Sequence, residues 1–194
     1  MPRIAVTGGI ACGKSLVGSF LAARGVAVCE ADEVAHRVLE PGGPCYARIT
    51  AEFGTDLLQA DGALDRARLG ARVFADREEL ARLNAIVHPV VKGAWEDWLR
   101  SRPHGPAAVI VPLLYECGAG EGWDAVICVA AARSLQLRRL AERGLPAREA
   151  VARIEAQMPV REKAARADYV ILNNGTKEVM VQQTDRVLQS IMEK

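Results

Sequence analysis

"GGIACGKS", residues 8–15, follows the apolar run "RIAV" (3–6) and opens "KSLVGSFLAARG" (14–25), where apolar residues recur at helical spacing up to a glycine stop. Gly8, Gly13, Lys14 and Ser15 satisfy G-x-x-x-x-G-K-[ST]. Glycines at these positions let main-chain N–H groups turn inward around phosphate oxygens, and the following helix presents its positive end. A lysine in this position reaches the β- and γ-phosphates, and the next hydroxyl ligates Mg²⁺. A chance glycine-rich turn is the alternative, but the motif follows a strand and opens a helix, as its chemistry demands. The loop is therefore read as holding the phosphates of a nucleoside triphosphate, with Mg²⁺ on Ser15.

Working outward, "VAVCEAD" (26–32) reads as a second strand ending in acidic residues, which completes a βαβ unit and implies a parallel sheet. From 33 to 101 strand signals vanish, and "EVAHRVLE", "CYARITAEFG", "DRARLGARVFA" and "REELARLNAIVHPVVKGAWEDWLRS" are amphipathic at helical period. Strands return with "AAVIVPLL" (107–114), "DAVICVAA" (124–131) and "DYVILNNG" (168–175). Residues 133–167 are helical, with eight Arg and one Lys against four Glu. An amphipathic helix closes the chain over 176–193. The expected fold is α/β: a five-stranded parallel core from 1–32 and 102–194, a helical insertion over 33–101, and an Arg-rich lid within about 133–166.

The 194 residues carry 25 Lys+Arg against 24 Asp+Glu, and this balance argues against a nucleic-acid binder. No apolar run is long enough to span a bilayer, and the N-terminus lacks a cleavage pattern. Five cysteines, none spaced C-x-x-C, fit buried thiols in a reducing cytoplasm better than disulfides or zinc. Cys12 stands out, because loop N–H groups and Lys14 favour its thiolate and predict a reactive thiol that Mg-ATP protects.

No N-K-x-D guanine motif is present, and "VIVPLLYE" (109–116) ends in Pro112 rather than a strand-end acid, with Glu116 further on. A GTPase and an ATPase motor are thereby disfavoured. A small kinase needs a phosphate cradle, an acceptor site, a carboxylate near the acceptor hydroxyl and basic residues over the phosphates. Asp32, at the mouth of the second strand, is the candidate carboxylate, although it also suits the N-cap of the helix that follows. His88 precedes Pro89 at an expected helix boundary, where a packing role and an acceptor-binding role weigh equally. Trp95 and Trp98, spaced i,i+3, read as core packing. The residues alone leave open a kinase of another small acceptor, or a nucleotide sensor without turnover; a retained Asp32 speaks against the sensor.

The order of "TGGIACGKS" (7–15), "EAD" (30–32), "LDRARL" (64–69), "HP" (88–89), "VPLLYE" (111–116), Gln136 with "RL" (139–140), "AQMPVREK" (156–163) and "ADYVILNNG" (167–175) resembles the dephospho-coenzyme A kinase family over nearly the whole chain. The resemblance implies a P-loop kinase with a helical coenzyme A domain and a short lid. The reaction it implies is phosphorylation by ATP of the 3′-hydroxyl of dephospho-coenzyme A. It further implies that Gly8, Gly9, Ala11, Cys12, Gly13, Lys14, Ser15 and Leu16 cradle ATP, with Asn173 near the adenine. Asp32 takes the hydroxyl proton, Arg66 and His88 bind the acceptor, and Arg139 and Arg143 meet phosphates from the lid. Four positions depart from the family's pattern: Cys12, Leu16, Glu30 where Asp is usual, and Leu172.

Overall fold

Five parallel strands carry the apolar runs: β1 (Arg3–Gly8), β2 (Ala27–Glu30), β3 (Ala107–Ile110), β4 (Ala125–Ala130) and β5 (Tyr169–Leu172), in the order β2-β3-β1-β4-β5. Central β1 pairs with β3 through Arg3↔Ala107 to Val6↔Ile110 and with β4 through Ile4↔Ala125 to Gly8↔Val129. Strand numbering changes direction across β1, so its carboxyl end is a switch point, where ligands of such sheets bind. The computed structural model describes residues 1–102 and 104–194. The chain divides into two units, residues 1–30 with 98–194, and residues 31–97.

In the first unit, strand alternation sorts the sheet's two faces. Ile4 and Val6 of β1 join Ile127 and Val129 of β4 in one apolar cluster with Val17, Phe20 and Leu21 of α1 (Lys14–Ala22) and Met180 and Ile191 of α9 (Lys177–Met192). Leu16 packs on the edge of this cluster. The run 133–167 forms three helices: α6 (Arg133–Glu142), α7 (Ala147–Glu155) and α8 (Val160–Arg166). Gly144, at φ 81°, and Pro146 break the first junction, and Pro159 breaks the second, because proline cannot supply the N–H that a continuing helix needs. Ala11, Leu140 of α6 and Ala150 of α7 form a smaller cluster, and α8 packs against β1 and β4.

β5 is an edge strand on which Val170 and Leu172 are exposed. The Leu172 N–H donates to Gln183 Oε1 at 2.9 Å, and Gln183 Nε2 donates back to the Leu172 carbonyl at 3.0 Å.

The second strand stops at Glu30, opposite the last residue of β3, where its pairing partner ends. Asp32 lies two residues past the end of β2, in the first turn of α2 (Ala31–Val38), and as the second helical residue it is not the N-cap. The rest of the second unit comprises α3 (Tyr46–Phe53), a 3₁₀ turn (Thr55–Leu57), α4 (Arg66–Ala75) and α5 (Arg77–Arg100), the last running on into the first unit's sequence. Asp65 caps α4 by accepting from Arg68 N at 3.0 Å, and Asp76 accepts from Glu78 N at 2.8 Å where α5 begins. Arg72 grips both Glu79 oxygens and the Phe53 carbonyl, tying α3, α4 and α5 together. Pro89 sits inside α5 and does not bound it. The apolar stripe through Ile86, Val87, Val91 and Trp95 is buried along the helix, and that burial outweighs a proline cost of about 3 kcal/mol. Trp95 is buried and Trp98 half-buried, in keeping with packing rather than an exposed platform. Among the described residues no helix is long and apolar enough to cross a membrane.

Candidate active site

Backbone sterics build the loop after β1. At Gly8, φ is 141°, and an added Cβ would fall 2.1 Å from the Val129 carbonyl oxygen. At Gly13, φ is 102°, and a Cβ would fall 2.4 Å from Asn173 Nδ2. Both glycines of the motif are thus required by contact as well as by dihedral. Ala11, at φ 57°, is the one non-glycine with positive φ among the described residues. Lys14 Nζ donates to the Gly8 and Gly9 carbonyls at 3.2 and 2.9 Å, which holds the ammonium over the loop. Ser15 Oγ donates to Glu30 Oε2 at 3.1 Å, so the hydroxyl and the carboxylate at the end of β2 adjoin.

The main chain of the loop is bonded to side chains from α6 and from the segments that follow α7 and β5. Gln136 Nε2 donates to the Ile10 carbonyl at 2.7 Å, Arg139 Nη1 to the Ala11 carbonyl at 3.1 Å, and Asn173 Nδ2 to the Cys12 carbonyl at 2.9 Å. Gln157 Oε1 accepts from Ile10 N at 2.9 Å. Arg139 Nη2 also donates to the carbonyl and Oδ1 of Asn173, at 3.0 and 3.1 Å.

The structure therefore brings Gly8 to Ser15, Glu30, Arg139 and Asn173 together. Arg139, expected in the lid, lies on α6 and spends its guanidinium on the Ala11 carbonyl and on Asn173. Asn173, expected near the adenine, turns its amide to the loop. Arg143 is exposed at the C-terminal end of α6. In the second unit Asp32 is exposed, His88 half-buried and Arg66 exposed on the first turn of α4. Arg66 borders a cavity of about 440 Å³ whose lining includes His36, Leu39, Gln59 and Leu64. His36 and Gln59 went unnoticed in the sequence, since a helical His and a turn Gln carry no local signal.

One reading from the sequence is corrected. Cys12 is fully buried, and burial pushes its thiol above the ordinary value, more than Lys14 and the main chain at Ala131 and Gly9 pull it down. The thiolate is disfavoured. Cys12 should resist an alkylating reagent at pH 8 in the folded protein and react after denaturation, as peptide mass spectrometry would show; rapid labelling of the native thiol would contradict this. Glu116, the acid that follows Pro112 in the sequence, is the partner of Lys163. Lys163 is fully buried, and its Nζ donates to Glu116 Oε1 at 2.7 Å and to the Pro112 carbonyl at 2.6 Å. Glu116 Oε1 also accepts from Met158 N at 2.9 Å.

Known proteins resemble the chain throughout its length. A model of the family described as dephospho-CoA kinase matches residues 3–178. The dephospho-CoA kinase of Anaeromyxobacter dehalogenans is 48% identical over 192 residues, covering 97% of this chain and 91% of the relative. A crystal structure of a Thermus thermophilus protein superposes with a TM-score of 0.81 at 32% identity, covering 97% of this chain and 96% of that one. Dephospho-CoA kinase from Campylobacter jejuni superposes at 0.70 with 27% identity, over 98% and 97%. With a family match across most of its residues and a close relative along nearly all of it, the chain belongs to the dephospho-CoA kinase family.

Proposed function

We propose that the chain transfers the γ-phosphoryl group of ATP to the 3′-hydroxyl of dephospho-coenzyme A, giving coenzyme A in the last step of its synthesis. The observation that carries this reading is the Gly8–Ser15 loop, whose glycines are sterically required and whose lysine is held over it, in a chain of that family. Lys14 binds the β- and γ-phosphates, and the positive end of α1 faces them. Ser15 and Glu30 offer a hydroxyl and a carboxylate side by side, the hard oxygen donors that suit Mg²⁺. When bound, Mg²⁺ neutralises charge developing on the phosphate oxygens. Asp32 orients the acceptor hydroxyl and takes its proton, and Arg143 adds positive charge from the lid.

Residues 31–97 are the acceptor unit in this reading. Its cavity combines the apolar Leu39 and Leu64 with the polar His36, Gln59 and Arg66, a mixture that suits an amide-bearing chain; His88, half-buried on α5 and outside that lining, is a further acceptor contact in this reading. The test is ADP release from Mg-ATP with a panel of acceptors. Dephospho-coenzyme A should stimulate release strongly, and adenosine monophosphate or shikimate weakly; strong turnover of either of the latter would assign the chain another acceptor.

A further inference from the structure

We infer that Gln136, Arg139 and Asn173 are positioning residues of the phosphate loop, each holding one of three successive carbonyls outward. A trans peptide sets its C=O and N–H on opposite sides of one plane, and no cis bond occurs among the described residues. Fixing the Ile10 carbonyl on Gln136 thus directs the Ala11 N–H to the other side. Fixing the Cys12 carbonyl on Asn173 directs the Gly13 N–H likewise. Between them, the Cys12 N–H closes the turn on the Gly9 carbonyl at 3.2 Å, and Arg139 holds the Ala11 carbonyl.

The strained residue of the loop lies at the centre of this arrangement. A non-glycine residue at φ 57° persists where its surroundings over-determine it, and the planes before and after Ala11 are both bonded. Arg139 acts twice. By donating to Asn173 Oδ1 it orients that amide, so that Nδ2 and not the oxygen meets the Cys12 carbonyl. Its guanidinium serves as a rigid fork across two main-chain segments, a task a point charge cannot perform. This assignment rests on the proposed ATP reading of the loop, but not on the acceptor.

The experiment separates fork from charge. Arg139→Lys keeps the positive charge and loses the fork; Asn173→Asp keeps the acceptor for Arg139 and loses the donor to Cys12. Gln136→Met keeps the volume and involves no charge. Mg-ATP binding is measured by calorimetry without acceptor, alongside the KM for dephospho-coenzyme A and the urea midpoint. Each variant should weaken ATP binding roughly ten- to hundredfold, the scale of one lost hydrogen bond to a charged or buried partner. The acceptor KM should stay near wild type, and the urea midpoint should fall by no more than the loss of one buried hydrogen bond implies. ATP binding by Arg139→Lys and Gln136→Met as tight as wild type would overturn the inference. An equal loss in acceptor KM would also overturn it, by reducing the three to general scaffolding. A wild-type protein that binds ATP but ignores dephospho-coenzyme A would count against the acceptor reading alone.

Discussion

Asp32→Asn is expected to lower turnover of dephospho-coenzyme A by about 10²–10⁴-fold, the range over which a positioned general base acts. Phosphoryl transfer is largely positioning and charge neutralisation, yet the attacking hydroxyl must release its proton as the new bond forms. The amide keeps the size of the carboxylate and cannot take that proton. Folding should be little affected, because Asp32 is exposed in the first turn of α2. There its charge favours the helix by roughly 0.3–1 kcal/mol. ATP binding should be close to wild type, since Asp32 is no part of the loop. Lys14→Ala should differ by weakening ATP binding as well as the rate. ATP titrations, set beside single-turnover rates with both substrates saturating, would separate the two. Were Asp32→Asn as fast as wild type, the base role would pass to Glu30. Glu116 is excluded from that role because its carboxylate is committed to Lys163.

The largest loss of stability is expected from Glu116→Ala, about 3–5 kcal/mol, the range for breaking a buried ion pair by removing one partner. Lys163 has no exposed surface, and the substitution would leave its ammonium with the Pro112 carbonyl alone. Met158 N would lose its acceptor as well. Lys163→Met should cost less, because the side chain of Glu116 is 20% exposed and can be hydrated once released, while the thioether fills the space. Urea unfolding of the three proteins would measure both differences. A loss under about 1 kcal/mol for Glu116→Ala would mean that Lys163 finds another counter-charge.

What the sequence reveals of this molecule follows the range of the forces involved. The phosphate loop is legible because its glycines answer to contacts within one strand-turn-helix and the facing Val129 carbonyl. β4 is legible because a strand buried on both faces must be apolar throughout. Lys163, by contrast, looks like one more charge in an Arg-rich run, and only the tertiary fold encloses it. The same holds for Arg139 and Arg143. Four residues apart on one helix, they read alike as lid arginines, yet one is bonded to the loop and the other is exposed. Pro89 misleads because local backbone preference points to a helix end while the buried stripe on either side carries the helix through. Asp32 reads as the tail of a strand but lies in a helix, because β2 and β3 pair only as far as Glu30 and Ile110. Cys12 misleads in another way: the neighbouring charges are visible in the sequence, and the burial that outweighs them is not.

The side-chain amide of Gln183 has a consequence for how this protein behaves at high concentration. An edge strand ordinarily offers a row of open N–H and C=O groups on which another chain can build. At Leu172, beside the exposed Val170, both groups are already taken by a donor and an acceptor from α9 of the same molecule. The glutamine imitates the backbone of an absent sixth strand, and an incoming chain would have to break two hydrogen bonds to pair at Leu172. The carboxyl end of β5 is thereby blunted by the molecule's own final helix and is a poor template for fibrillar growth.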